Sequence, residues 1–146
     1  EVLVTVGLSE VVFAVLATIL EEGDEILVPD PGWLNYVNVP HLLGAVPVPY
    51  LLREESGYQI DLDEIRSKIT ARTRAVVLIT PSNPTGGVLA EGVLKELAQI
   101  AIKNDLMVIS DEVYERLIYD GTRHISIASL PGMKERTFTM NGMSKA

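Results

Sequence analysis

The chain has 146 residues, about the length of one domain, and 47% of them are hydrophobic, which is sufficient for a buried core and excludes a disordered chain. Twenty acidic residues against twelve basic ones give a net charge of −8, so there is no basic surface that would attract nucleic acid or anionic lipid. There is no cysteine, and the two histidines, His41 and His124, are far apart, so no metal site is predicted.

The longest apolar run, residues 11–20, is shorter than the roughly 18 residues that cross a bilayer, and two glutamates follow it. No signal-peptide pattern is visible, and the absence of cysteine fits a reducing compartment. We therefore predict a cytoplasmic protein without a membrane partner. The sequence opens at Glu1 in an apolar run and stops one residue after Lys145, with no linker at either end, so we expect an internal segment of a larger protein.

Apolar, strand-like runs alternate with amphipathic, helix-like stretches along the chain. A run without polar alternation, such as residues 76–79, is typical of a strand that is covered on both faces. The pattern predicts an α/β domain with three layers, in which helices cover both faces of a mainly parallel sheet. In chain order, we predict a helix over residues 8–21, a strand over 25–28, a helix over 33–43, a strand over 45–50, a helix over 61–69 with Asp61 as its N-cap, a strand over 75–80, a helix over 90–104, and strands over 106–110 and 136–140.

Polar motifs follow three of the predicted strands. Residues 81–86 read PSNPTG, residues 111–114 read DEVY, and Ser144 and Lys145 come shortly after the last strand. In open parallel sheets, ligands bind at the carboxyl ends of the strands. We therefore expect the three motifs to meet in one crevice.

Asn83, Asp111, Tyr114 and Lys145 supply an amide, a carboxylate, a phenol and an amine in this order. The motifs and their order resemble the pyridoxal 5′-phosphate (PLP) enzymes of fold type I, and most closely the class I/II aminotransferases. The resemblance covers nearly the whole chain. It implies that residues 1–146 are part of the PLP-binding large domain, with the small domain and the remainder of the large domain outside this chain. It also implies a homodimer.

The resemblance assigns a role to each of these groups. The Lys145 amine forms an imine with the cofactor aldehyde and moves the proton during transfer. Asp111 pairs with the pyridine nitrogen, although it can also cap a predicted helical turn over residues 112–116, in which Glu112 is interpreted as a first-turn acid. Tyr114 and Asn83 donate to the ring oxygen of the cofactor.

Further residues are assigned to the ring and the phosphate. Trp33 matches a position that holds a stacking aromatic, with core packing as the competing interpretation, and Tyr36 lies one helical turn later on the same predicted wall. Leu8 and Ser9 match the phosphate loop, where amides at a helix start bind the dianion.

The sequence departs from the resemblance in one place. Many relatives carry a hydroxyl residue three positions before the lysine, and this chain has Gly142 there, so Ser144 is the candidate substitute.

The predicted function is transfer of an amino group between an amino acid and a 2-oxo acid. The alternatives are a related fold type I enzyme that cleaves a Cβ–S bond or forms a cyclopropane ring, the PLP-binding regulatory domain of a transcription regulator, and a fragment without activity. In the family, the arginines that bind phosphate and the substrate carboxylate lie beyond the lysine. We therefore expect residues 1–146 alone to be inactive.

Overall fold

The computed structural model describes residues 1–145. Its five strands form one parallel sheet in the order β2-β1-β3-β4-β5. The predicted four helices and five strands are all found, with ends that differ by a few residues. The elements are α1 (Gly7–Ile19), β1 (Glu25–Asp30), α2 (Asn35–Leu42), β2 (Val46–Leu51), α3 (Leu62–Lys68), β3 (Thr73–Ile79), α4 (Glu91–Lys103), β4 (Met107–Asp111) and β5 (Thr137–Met140), with 3-10 turns at Glu54–Ser56, Ile127–Ser129 and Lys134–Arg136.

Helices cover both faces of the sheet, so the domain has three layers, as predicted. Alternate side chains of the strands point to opposite faces and enter two separate cores. The first core joins the sheet to α1 and α2 through residues that include Val12, Leu16, Tyr36, Val77 and Ile109. The second joins it to α3 and α4 through residues that include Ile65, Val76, Leu94, Leu97 and Val108.

The strand order places a crevice between β1 and β3. The chain leaves β1 toward β2 on one side and leaves β3 toward β4 on the other, and the connecting helices α2 and α4 lie on opposite faces. Loops that diverge in this way leave room for a ligand at the carboxyl ends of the strands. None of the helices in residues 1–145 has both the length and the hydrophobicity that a membrane crossing requires.

β2 forms one edge of the sheet. The amide of Val46 donates toward β1, so by alternation the nitrogens of Pro47, Pro49 and Leu51 face outward. Proline has no amide hydrogen, which makes it compatible with an outer strand. The remaining outward amide, that of Leu51, donates to the carboxylate of Glu64 on α3 at 3.2 Å.

Helix α3 begins at a side-chain cap, as the sequence predicts. The Asp61 carboxylate accepts from the amides of Asp63 and Glu64 at 3.0 and 3.2 Å. These amides have no partner within the helix. We expect Asp61→Ala to lower the free energy of unfolding by about 1 kcal/mol, measured by urea denaturation. Glu55→Ala in the exposed 3-10 turn is the control, and an equal loss in both variants would contradict a capping role.

Candidate functional site

One cavity of about 250 Å³ lies at the carboxyl ends of the strands. Its lining contains all eight residues predicted from the sequence, which come from the start of α1, from the end of β4 and from the loops after β1, β3, β4 and β5. Ile79 and Val113 also line it and were not predicted. The predicted residues are Leu8, Ser9, Trp33, Asn83, Asp111, Tyr114, Ser144 and Lys145.

Asp111 is the last residue of β4 and is only 3% exposed. One carboxylate oxygen accepts from the Val113 amide at 3.3 Å, and the other accepts from the Tyr36 hydroxyl at 3.0 Å. Burial raises the pKa of Asp111, and these two hydrogen bonds offset only part of that effect. The site therefore contains a buried carboxylate without a cationic partner among residues 1–145, which is suited to a cationic ligand group.

Tyr36 lies behind the cavity wall rather than on its surface. Its side chain is 1% exposed, and its ring packs edge-on against the Trp33 ring, with centroids 5.7 Å apart. Burial, followed by the nearby charge and hydrogen bond of Asp111, raises the pKa of Tyr36 well above its usual value, so the hydroxyl remains a donor. The sequence predicts Tyr36 on the same wall as Trp33 but does not predict its bond to Asp111.

The loop after β3 presents Asn83. Two main-chain hydrogen bonds close this loop, from Ser82 to Gly87 at 2.9 Å and from Gly86 to Ser82 at 2.8 Å. Gly86 has a φ of +72°, which favours glycine. The loop is therefore held by its own backbone, and the Asn83 side chain is left to face the cavity.

Helix α1 begins at the cavity. Its N-cap residue, Val6, provides no side-chain cap, and its own amide bonds to the Glu10 carboxylate. Amides of a first helical turn have no partner within the helix and carry partial positive charge. Leu8 and Ser9 line the cavity and belong to this turn, which gives the site an anion-binding end.

Ser144 and Lys145 close the cavity from the turn after β5 and are exposed. Gly142, two residues before Ser144, lies close to α1: a Cβ atom there would be 3.1 Å from a methyl group of Leu8. A hydroxyl residue at this position would require Leu8 to move, so the sequence departure at 142 matches the local packing.

The interpretation of Glu112 as a first-turn helix acid is wrong. Residues 113–116 form turns rather than a helix, and the Glu112 side chain is 2% exposed. Its carboxylate accepts from the hydroxyls of Ser110 and Ser126, both at 2.7 Å, and bonds to Nε2 of His124 at 2.9 Å. Burial alone would raise the pKa of Glu112, but the bonds from His124, Ser126 and Ser110 lower it below the ordinary value.

Glu115 lies beside this group. Its carboxylate, that of Glu112 and the His124 ring place ligand atoms within 4.8 Å of one another. Donors already occupy both oxygens of Glu112, so a metal would have to displace them.

Comparison with known proteins places this chain in a family. The sequence model described as "Aminotransferase class I and II" matches residues 1–146. The chain is 44% identical over 145 residues to aromatic-amino-acid aminotransferase 2 of Thermococcus litoralis and 43% identical over 145 residues to aspartate aminotransferase of Pyrococcus abyssi. Each alignment covers 99% of this chain, and the chain spans 37% of the length of each relative.

Solved structures agree with the sequence comparison. N-succinyldiaminopimelate aminotransferase from Mycobacterium tuberculosis matches with a TM-score of 0.95 and 41% identity, over 99% of this chain and 38% of that one. An aromatic aminotransferase from Pyrococcus horikoshii OT3 matches with a TM-score of 0.92 and 44% identity, over 95% of this chain and 37% of that one. The chain therefore belongs to the class I and II aminotransferase family and has its fold type I α/β architecture.

Proposed function

We propose that this chain is the PLP-binding part of an aminotransferase that moves an amino group between an amino acid and a 2-oxo acid. The observation that carries the proposal is the single cavity in which an amine, a buried carboxylate, an amide, a phenol and a helix start converge. Residues 1–146 then belong to the large domain, and the rest of that domain and the small domain lie outside them. The chain spans 37% of the length of each of these curated relatives, which supports this division.

The residues present fit PLP by their chemistry. The indole of Trp33 offers a flat face for the ring, and the Asp111 carboxylate offers a partner for its nitrogen. Asn83 and Tyr114 offer donors for the ring oxygen. Amides at the start of α1, together with Ser144, suit the phosphate.

When bound, PLP supplies an aldehyde that links to an amine and a ring that takes up electrons released at the substrate carbon. This chain would supply the groups that hold the ring and move the proton. The Lys145 amine would link to the aldehyde, with loss of water, until the substrate amine displaces it. The freed amine would then take the proton from the substrate α-carbon and deliver it to the cofactor carbon that was the aldehyde. Asp111, which accepts a hydrogen bond from Tyr36, would keep the ring nitrogen protonated. Ile79 and Val113 add apolar side chains to the lining of the cavity.

The proposed substrates are an amino acid and a 2-oxo acid, without a narrower assignment. The relatives carry names for aromatic amino acids, aspartate, alanine and N-succinyldiaminopimelate, so similarity to this chain does not select one side chain. A homodimer and a cytoplasmic location complete the proposal, and both follow from the family resemblance and the composition.

The function is tested with the full-length protein loaded with PLP. We expect amino acids to change the absorbance of the bound cofactor and 2-oxo acids to restore it, which is the signature of two half-reactions. Screening amino donors then identifies the substrate. Release of ammonia with a 2-oxo acid from a single amino acid would instead indicate a lyase, and the absence of PLP binding would overturn the proposal.

Tyr114→Phe tests the donor to the ring oxygen. A phenol that donates to this oxygen stabilises its anionic form, so its loss should raise the midpoint of the pH titration of the bound-cofactor absorbance. The exposed Tyr119→Phe is the matched control and should leave the midpoint unchanged. A fall, or no change, for Tyr114→Phe would count against the contact.

A further inference from the structure

Residues 112–126 connect β4 to the 3-10 turn at Ile127–Ser129 and carry Tyr114 to the cavity. We propose that Glu112, together with Ser110, His124 and Ser126, forms a clasp that closes this segment on itself and thereby positions Tyr114. The role of Tyr114 toward the cofactor is the one part of this proposal that rests on the proposed function. Its geometry is independent of that function.

The outer residues of the segment have few anchors of their own, whereas at its ends the Glu112 amide donates to the Met140 carbonyl of β5 at 2.8 Å, Val113 is buried and Ile125 packs against the second core. The main-chain hydrogen bonds donated by residues 115–122 run from Glu115 to Glu112, from Leu117 to Tyr114 and from Thr122 to Tyr119, so in the part of the chain that the structure describes each is internal to the segment. Residues 117 and 119–123 are exposed. Its outer turn has two residues with positive φ, Asp120 at 56° and Gly121 at 71°. Such a segment opens at low free-energy cost unless its two ends are joined.

Glu112 joins them. Ser110 belongs to β4, directly before the segment, and His124 and Ser126 lie at its other end. One buried carboxylate therefore receives donors from both ends. Hydrogen bonds to a charged group are stronger than neutral ones, and they are shielded here from water. Tyr114 is two residues from Glu112, so displacement of the segment moves its phenol directly.

The His124 ring takes part in the clasp through one nitrogen. Nε2 lies 2.9 Å from the Glu112 carboxylate, whereas Nδ1 is buried without a hydrogen-bond partner in residues 1–145. A carboxylate offers only acceptors, so Nε2 carries the hydrogen and donates. A glutamine at position 124 can supply one N–H donor in its place, and a leucine cannot.

The first test uses the full-length protein without cofactor. Hydrogen–deuterium exchange of residues 113–123 should be at least roughly tenfold faster in Glu112→Gln and in His124→Leu, as expected for the loss of a charged hydrogen bond. His124→Gln should remain close to the wild type. Unchanged exchange in both disrupting variants would overturn the clasp, whatever the protein's activity.

The second test uses the PLP-loaded protein and the pH titration of its absorbance. Glu112→Gln should raise the midpoint in the same direction as Tyr114→Phe, and the double variant should shift it no further than Tyr114→Phe alone, because both changes act through one phenol. A midpoint that stays at the wild-type value in Glu112→Gln, or shifts that add in the double variant, would overturn the positioning role. If the wild type binds no PLP, the proposed function fails and the exchange measurement alone decides the clasp.

Discussion

Replacement of Lys145 by alanine is expected to lower the rate of amino-group transfer by about 10⁴-fold, the upper end of what a positioned acid–base group contributes. Lys145 is the single amine among the residues that line the cavity in the described part of the chain, 1–145. Its loss removes both the nucleophile and the group that moves the proton at the substrate α-carbon. The rate is measured as a single half-reaction with a good amino donor.

A labelling experiment identifies the residue that binds the cofactor. Borohydride reduction of the PLP-loaded wild type, followed by peptide mass analysis, should place the label on Lys145. Lys103→Ala, a change on the exposed end of α4, should retain both label and rate. A label on another lysine would show that the assignment of Lys145 is wrong.

Asp111→Ala is expected to lower turnover by about 10²-fold or more, which is the usual effect of removing one preorganised charge from an active site. Asp111→Asn separates charge from packing, because asparagine keeps the size and can still pair with the Val113 amide and the Tyr36 hydroxyl. We expect a similar loss in both variants. Asp120→Asn in the exposed loop is the control. Turnover near the wild-type value in Asp111→Asn would mean that only an acceptor is needed at this position.

The same substitution should have the opposite effect on stability. Burial is the main cause that raises the pKa of Asp111 above its ordinary value of 3.8. The folded, cofactor-free protein therefore binds this proton more tightly than the unfolded chain, and its stability falls as the pH rises from 3.8 through the raised pKa. At neutral pH the ionised carboxylate opposes folding. We expect cofactor-free Asp111→Asn to melt at the same temperature as the wild type or higher, and a clearly lower melting temperature would contradict this account.

The sequence predicts the sheet from local pattern, and it predicts the lining of the cavity from the polar motifs after the strands together with the family resemblance, which supplied Leu8, Ser9 and Trp33. Residues 75–80 form an apolar run that is typical of a strand covered on both faces, and β3 occupies nearly the same residues. Polar motifs after such strands must meet at one edge of a parallel sheet. This reasoning predicts that Asn83, Asp111 and Lys145 lie together, and all three line the cavity.

The contacts behind the cavity could not be read from the sequence. The bond from Tyr36 to Asp111 joins residues 75 positions apart, and no local spacing marks it. The helix-start interpretation of Glu112 is wrong because an acid after a strand and before a turn has the same local pattern as a helix start. Its true partners, His124 and Ser126, follow 12 and 14 positions later, after an exposed loop whose path local propensity does not determine.

The outer edge of β2 has a consequence for assembly. Prolines occupy two of its outward positions, and the amide of Leu51, the last residue of the strand, already donates to the Glu64 carboxylate. A strand from another molecule would find too few donors there to form a ladder, so this edge resists the edge-to-edge pairing that leads to aggregation. The opposite edge of the sheet is β5, so we expect a further strand that joins the sheet to pair with β5.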